Sequence, residues 1–440
     1  MKPININKIQ KDIQTRHCAF VVVDCVLNKK QDLDRVFDQT VSQYSDFDRR
    51  DIAFVRDMVM RFLRQLGQID AVLSNVSDRP LDKINPRDVL NVLRLGAVQI
   101  LLMDVGDHAA VDTSVELLNA LSHQKQKGFA NALLRTIVRK KDSNISMLTD
   151  KVQANSPSWL WRELEKDYGA ESAIKIAKAH LGRAPVDITV KKDAEDWAEA
   201  LDGQLLDNGS IRLDKSGAVT ELPGFDQGEW WVQSASAALP VQVLGDVTDK
   251  TIVDLCAAPG GKTMQLAVAG AKVTAVDISK NRLKRLEENL ERCNLSAKVV
   301  KGDGKTWQPE HPVDIVLVDA PCSATGTIRH QPDVLHLKTE KDMHRLARVQ
   351  KEILENASHM VKSGGVLMYC TCSLQFEESE RVVEAFLSQS SDFSLSSFTS
   401  DDVFGWDEML DKSGMIRILP FHLQETGGMD GFFIARLIRS

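Results

Sequence analysis

The feature that most constrains this chain is a change of texture near residue 236, after which short apolar runs alternate with amphipathic stretches. Runs at 251–255, 272–276, 298–300, 315–318, 366–369 and 432–437 are too short for helices and read as strands, with a helical stretch at 339–360 between the fourth and fifth. That alternation predicts a Rossmann-like, doubly wound α/β sheet, whose functional loops gather at the carboxyl ends of its strands.

The remainder of the 440 residues is too long to be an appendage of that one core. From about 5 to 142 apolar residues recur at helical spacing, as in Ile52, Val55, Met58, Val59, Phe62 and Leu66, or Val89, Leu90, Leu93, Ala97, Ile100 and Leu101. Polar or proline-containing stretches at 45–50 and 78–86 separate these segments, so an all-α domain is predicted. From about 155 to 235 the pattern mixes a helix at 159–180, a strand at 186–191 and a turn at 226–228, which predicts a small α+β module. The expected organisation is therefore multidomain, with boundaries at 1–145, 146–235 and 236–440.

Seven cysteines, odd in number and irregularly placed, argue against a secreted disulfide framework and toward a reducing cytoplasm. The apolar run 18–27 is broken by Asp24 and falls short of the roughly 20 residues that span a bilayer, and no cleavage site follows it, so neither a membrane span nor a signal peptide is expected. A net charge of -7 gives no global sign of nucleic-acid binding. Phosphates would have to meet local basic clusters: Arg135, Arg139, Lys140 and Lys141; Lys280, Arg282, Lys284 and Arg285; or Arg345, Arg348 and Lys351. Each is equally readable as a solvated helix face.

The segment Asp254-Leu255-Cys256-Ala257-Ala258-Pro259-Gly260-Gly261-Lys262-Thr263 follows a predicted strand and opens a helix, the position of a cofactor cradle. A phosphate-binding P-loop needs glycine where Cys256 stands, and a dinucleotide fingerprint needs a Gly-x-Gly-x-x-Gly spacing that is missing. The next strand ends in Asp277, where a carboxylate can accept both ribose hydroxyls of an adenosine, and the third is followed by Asp303 in Gly-Asp-Gly. Either aspartate alone could be a helix cap. Together with the loop, at successive strand ends, they predict an S-adenosylmethionine site.

Asp319-Ala320-Pro321-Cys322 follows the fourth strand and Thr371-Cys372-Ser373 the fifth, which puts two thiols at the cofactor edge. Methylation of an exocyclic amine needs no covalent nucleophile, whereas carbon 5 of a pyrimidine becomes nucleophilic only after a thiolate adds at carbon 6. Asp319 would hydrogen-bond the ring nitrogen and amino group of a cytosine, and the base must be unpaired or flipped to be reached. Against this, a cysteine near a strand end is often a small buried hydrophobe, a reading that suits Cys256 and Cys370. Cys370 and Cys372 as metal ligands lack the second pair or histidine cluster that would complete a site, so no metal is expected.

These motifs resemble those of the NOL1/NOP2/Sun group of RNA cytosine-5 methyltransferases, and within it the bacterial ribosomal RNA small-subunit methyltransferase B (Sun/Fmu) family. The likeness extends along the chain: Gly128-Phe129-Ala130-Asn131-Ala132-Leu133-Leu134-Arg135 is similar to the antitermination factor NusB, and Asp430-Gly431-Phe432-Phe433-Ile434-Ala435 to the family's last strand. The resemblance implies Cys372 as nucleophile, Cys322 in product release, and cofactor contacts from Cys256, Ala257, Ala258, Pro259, Gly260, Gly261, Lys262, Asp277, Asp303 and Asp319. It implies one cytosine of 16S ribosomal RNA as substrate, position 967 in the usual ribosomal numbering, and no obligate protein partner. DNA cytosine-5 methyltransferases attack with the cysteine of their Pro-Cys motif, so the residues alone leave the two roles interchangeable. Transfer RNA as substrate, or a non-catalytic RNA-binding or antitermination factor, are the alternatives. Ser234 after Gln233, Ala324 after Pro-Cys-Ser, and Arg329-His330-Gln331-Pro332 depart from the family pattern.

Overall fold

The computed structural model describes residues 9–213 and 219–440; the first residues of the expected helical domain, 1–8, and residues 214–218 of the expected α+β module lie outside the described residues. Contacts divide the chain into two units, one of Met1–Leu181 with Ile328–Lys338 and one of Gly182–Thr327 with Thr339–Ser440.

The first unit is built from α1 (Lys11–Lys29), α2 (Leu33–Val41), α3 (Arg49–Arg64), α4 (Leu66–Val76), α5 (Arg87–Leu102), α6 (Asp107–Ala120), α7 (Lys127–Arg139) and α8 (Lys141–Asp150). A further helical segment, α9 (Ser158–Leu181), is broken at Gly169, where φ is 78°. The sequence reads this stretch as one helix, because its apolar spacing runs through a glycine that marks the break only by its positive φ. Local chemistry sets the starts: the Asp48 carboxylate accepts the Arg50 and Asp51 amides, and Asp51 returns a bond to the Asp48 amide, a reciprocal cap on α3. The apolar positions read from sequence, Val55, Met58, Val59 and Phe62 on α3 and Val89, Leu93, Ala97 and Ile100 on α5, all lie in one buried cluster.

In the second unit β1 (Val186–Val190), α10 (Ala194–Leu201), β2 (Gln204–Leu205), β3 (Ile211–Leu213) and β4 (Trp230–Val232) form a small α+β module whose strands are ordered β2-β3-β1-β4. Its core is Ile188, Ala198, Leu201, Ile211 and Trp230. A buried bidentate pair between Asp187 and Arg212, 2.7 and 2.9 Å, ties β1 to β3, and Asp187 also accepts the Ala235 amide at the start of α11 (Ala235–Gln242).

The chain then runs β5 (Thr251–Leu255), α12 (Gly261–Val268), β6 (Lys272–Asp277), α13 (Lys280–Arg292), β7 (Lys298–Lys301) and β8 (Val313–Asp319). After β8 it enters the first unit as the short α14 (Val334–Leu337), returning as α15 (Glu340–Ser358), β9 (Val361–Thr371), α16 (Glu380–Gln389), β10 (Phe393–Leu395), β11 (Ile416–Ile418) and β12 (Phe432–Arg439). Among the described residues these strands form one sheet ordered β10-β12-β9-β8-β5-β6-β7, with β11 on β12. Strands β9, β8, β5, β6 and β7 are parallel, so their carboxyl ends share an edge, and the order reverses between β5 and β8. An open α/β sheet leaves its ligand crevice at such a reversal.

Within the first unit, the segment that continues from the Pro-Cys-Ser turn is seated on the helices. The Leu33 amide donates to Asp333 at 3.1 Å, Arg64 donates to the Arg329 carbonyl at 2.6 Å, and His336 donates through Nε2 to the Leu63 carbonyl at 2.7 Å. Burial lowers the pKa of His336 to about 4, so it sits there as a neutral imidazole.

Candidate active site

The loop after β5 turns by its backbone. Cys256 takes a left-handed φ of 61° and Gly260 one of 106°, the Ala258–Pro259 peptide is cis, and α12 starts at Gly261. The Ala257 amide donates to Val276 at the end of β6, and the Ala258 amide to the Asp277 carboxylate at 3.3 Å. Asp277 also accepts the Ser279 amide at 2.8 Å and pairs with Arg282 at 3.3 Å, and Arg282 donates to the Ala258 carbonyl as well. The Gly302 amide bonds the Asp277 carbonyl, which carries the end of β7 up to that of β6. Asp303 is the outlying member, its carboxylate accepting the Lys305 amide of its own turn at 3.0 Å.

On the other side of the reversal, Lys262 Nζ donates to Asp319 at 2.8 Å and lies 5.1 Å from the centre of the Phe432 ring. Burial works against the Lys262 charge, but Asp319, Cys370 and Asp254 together outweigh it and hold the ammonium. The Asp254 carboxylate beneath, buried and taking the Thr263 hydroxyl at 2.6 Å, is pushed up to about 7 by burial. Asp319 keeps 34% of its side chain exposed, and with Lys262, Trp231, Gln233 and Pro259 it lines a cavity of about 390 Å³. Asp277, Asp303, Cys322 and Cys372 lie outside that lining.

The two cysteines meet. Cys322 Sγ lies 3.3 Å from Cys372 Sγ, both as free thiols. The hydrogen bond to Cys322, and then burial, hold the Cys372 thiol well above its usual range, although Lys262 acts in the opposite sense. Cys370, one turn of the pleat away, is raised by burial and by Asp319, to which its thiol donates at 3.8 Å. Cys256 is pushed up to about 12, mainly by burial. Cys370 is thus a buried thiol and Cys256 a half-buried one.

Behind the thiols lies a polar network that the sequence reading missed. Each cysteine is followed by a serine, and both serines bond one buried carboxylate: Glu378 accepts the Ser323 amide at 2.9 Å, the Ser323 hydroxyl, and the Ser373 hydroxyl at 2.6 Å. The Gln375 side-chain amide oxygen accepts the Thr325 hydroxyl and lies within hydrogen-bond distance of the Ser323 and Ser373 hydroxyls, and Gln350 donates to the Pro321 carbonyl at 2.9 Å. Arg417, paired with Glu380 at 2.5 Å, donates to the Ser373 carbonyl at 2.8 Å. The repeated Cys-Ser dipeptide was the available signal. Glu378 itself stands in a Glu-Glu-Ser-Glu run that reads as solvated surface.

The residues fit the cofactor expected from sequence. A carboxylate offers about four acceptor positions, and Asp277 has three contacts, so Oδ1 keeps capacity for a ribose hydroxyl. Among the described residues no three metal-binding side chains are grouped, and no helix is long and apolar enough to cross a membrane. Ten of the eleven basic residues singled out in sequence are exposed, with Lys141 half-buried in an ion pair with Asp107.

Ribosomal RNA small subunit methyltransferase B of Cronobacter sakazakii is 33% identical over 98% of this chain and 100% of its own length. The chain belongs to the ribosomal RNA small subunit methyltransferase B family. The relative from Citrobacter koseri is also 33% identical, over 96% of this chain and 98% of its own length. Consistent with membership of the methyltransferase B family, the family described as 16S rRNA methyltransferase RsmB/F matches residues 241–438, and the NusB family matches 13–139. Among solved structures, PH0851 superposes with a TM-score of 0.76 over 98% of this chain and 99% of its own, at 22% identity, which speaks to fold. A methyltransferase homolog from Pyrococcus horikoshii, 26% identical, matches 64% of this chain and all of its own with a TM-score of 0.51. The fold expected from sequence, a NusB-like helical domain, a small α+β module and a Rossmann-like methyltransferase domain, is the one found.

Proposed function

We propose that this methyltransferase B family member methylates carbon 5 of one cytosine in 16S ribosomal RNA, the cytosine at position 967, through a covalent bond between Cys372 and carbon 6. The observation that carries the reading is the 3.3 Å approach of Cys322 and Cys372 beside the Lys262–Asp319 pair. S-adenosylmethionine, when bound, supplies an electrophilic methyl group. The loop of Cys256, Ala257, Ala258, Pro259, Gly260, Gly261 and Lys262, with Asp277, Asp303 and Asp319, forms its cradle.

Asp319 faces the open cavity and accepts the amino group of the base, while Lys262 fixes that carboxylate. Cys372 gives its proton to the Asp319 carboxylate, which passes it to the ring nitrogen as the sulfur adds to carbon 6, leaving carbon 5 electron-rich as an enamine. Its raised pKa means that the resting thiol keeps its proton. After transfer, Cys322 assists removal of the carbon 5 proton, and the carbon–sulfur bond to Cys372 breaks to restore the aromatic ring.

The division of labour follows the modules: residues 1–145 as a helical RNA-binding domain, 146–235 as a linker that also meets RNA, and 236–440 as the catalytic domain. An enzyme acting on ribosomal RNA works in the cytoplasm, with early-assembly or free RNA as its partner. Bisulfite sequencing of total RNA from a strain lacking this gene tests the reading. Loss of one methylcytosine in 16S RNA, restored by the gene and not by its Cys372→Ala form, is expected. Loss in a transfer RNA instead, or no loss, would refute it.

A further inference from the structure

Two loops that must hold their thiols together come from sequence positions 50 residues apart. They are zipped to one another at the backbone: the Gly326 amide donates to the Cys372 carbonyl at 2.8 Å, and the Leu374 amide to the Thr325 hydroxyl at 2.9 Å. Gly326 permits that approach, since a Cβ there would lie 2.0 Å from the Gly431 carbonyl oxygen. Two fully buried side chains touch both loops, Gln375 and Glu378, and Glu378 is the one that carries a carboxylate and also holds a backbone amide. Its Oε1 takes the peptide N–H that directly follows Cys322, and its Oε2 takes the hydroxyls of both serines. The Glu378 carbonyl in turn accepts the buried Tyr369 hydroxyl of β9 at 2.8 Å, which fixes the carboxylate's own backbone.

We propose that Glu378 is a positioning residue that sets the spacing of Cys322 and Cys372, one buried carboxylate clamping the serine after each. The proposal rests on the reaction assigned above for its catalytic consequence, and on geometry alone for the spacing. Ser323, Ser373, Gln375 and Glu378 are all buried, and a network of buried polar groups is cooperative, so its members hold one another in a single arrangement. Burial raises the Glu378 pKa although the serine bonds oppose it, in keeping with a group placed there against its solvation.

The test uses the full chain and two readouts. Phenylarsine oxide forms two arsenic–sulfur bonds across a close thiol pair, releasing water, so its capture measures the spacing without RNA or cofactor. Glu378→Ala is expected to lower kcat about 10²-fold, as displacement of a reacting atom by an ångström does, with KM for RNA and Kd for S-adenosylmethionine within about twofold of wild type. Arsenical capture should weaken at least about tenfold, a spacing effect of the same origin. Glu378→Gln, which keeps the side chain's length and one acceptor, should recover part of both losses. If Glu378→Ala does not fold, Ser323→Ala and Ser373→Ala carry the test, each expected to lower kcat and capture without changing cofactor affinity. Folded variants with unchanged capture, or with capture, kcat and cofactor binding all lost together, would overturn the proposal. Because capture needs no RNA, a wild type that fails to methylate cytosine while Glu378→Ala still loses capture would remove the reaction and leave the positioning role standing.

Discussion

The loop after β5, proposed above to hold the cofactor, and the paired cysteine turns after β8 and β9 lie along one sheet edge, yet they are held in opposite ways. The first is shaped by its backbone: left-handed φ at Cys256 and Gly260, and amides of Ala257 and Ala258 bonded to the end of β6. The second, beyond the backbone bond from Gly326 to Cys372, is shaped by side chains, with Glu378, Gln375, Gln350 and Arg417 bonded to it. The first takes few side chains from outside itself, chiefly Asp277, Arg282 and Asn289 at its rim, so damage to it stays local. A network of buried polar groups is cooperative, so removing one member strands the others.

The largest expected effect lies in the cysteine turns. Cys372→Ala should abolish methyl transfer and form no covalent RNA complex, while S-adenosylmethionine still binds to a loop that does not depend on that thiol. Cys322→Ala should still attack and methylate but stall before release, accumulating a protein–RNA adduct that survives denaturation and requires S-adenosylmethionine. A denaturing gel with labelled RNA reads both. An adduct with Cys372→Ala and none with Cys322→Ala would exchange the two roles.

Next comes stability. Arg417 and Glu380 are both buried, at 7% and 8% side-chain exposure, and Arg417→Met would leave Glu380 buried without its partner. Breaking a buried ion pair this way costs about 3–5 kcal/mol, to be measured by urea denaturation, and Arg417→Met with Glu380→Leu should recover much of it. A loss below about 1 kcal/mol, the range of an exposed pair, would mean that the pair is not holding the Ser373 carbonyl as its geometry suggests.

On the cofactor side the effect is smaller and confined to affinity. Asp277→Ala removes a charged acceptor worth about 1.5–3 kcal/mol, or roughly a ten- to hundredfold rise in the Kd for S-adenosylmethionine by calorimetry, with arsenical capture by the cysteine pair unchanged. An unchanged Kd in a folded variant would make Asp277 a purely structural anchor for the Ala258 amide and Arg282.

This contrast also explains what could be read in advance. The cofactor loop announces itself because its shape requires Pro259, Gly260 and Gly261 in a fixed order, and the strands around it are apolar runs bounded by turns. Asp277 and Asp319 are legible for the same reason, standing at the ends of such runs. Glu378, Gln350 and Arg417 are not, because their burial depends on which elements the fold brings together, and a charged residue in a helix-forming stretch reads as surface. The break at Gly169 escaped too, since glycine inside an apolar helical pattern is as compatible with a helix as with a hinge. The excursion of residues 328–338 into the helical unit has no local signature at all, being fixed by contacts to Leu33, Leu63 and Arg64.

The smallest prediction asks whether the cysteine turn also carries strain in its backbone. Ala324 takes a left-handed φ of 60°. That conformation costs an alanine about 1–2 kcal/mol. Ala324→Gly should remove that cost but release about 0.4–1 kcal/mol of chain entropy into the unfolded state, for a net gain of about 0.5–1 kcal/mol. In a domain of this size such a gain corresponds to a rise in Tm of roughly 1–4 °C, readable by calorimetry. Because the Ser323 and Ser373 side chains, and not the Ala324 backbone, tie the turn to Glu378, kcat and arsenical capture should stay at wild-type values. A glycine variant that gained stability but lost capture would show that the left-handed alanine, through its stiffness, shares in setting the thiol spacing, and the division between a backbone-held loop and a side-chain-held turn would have to be redrawn.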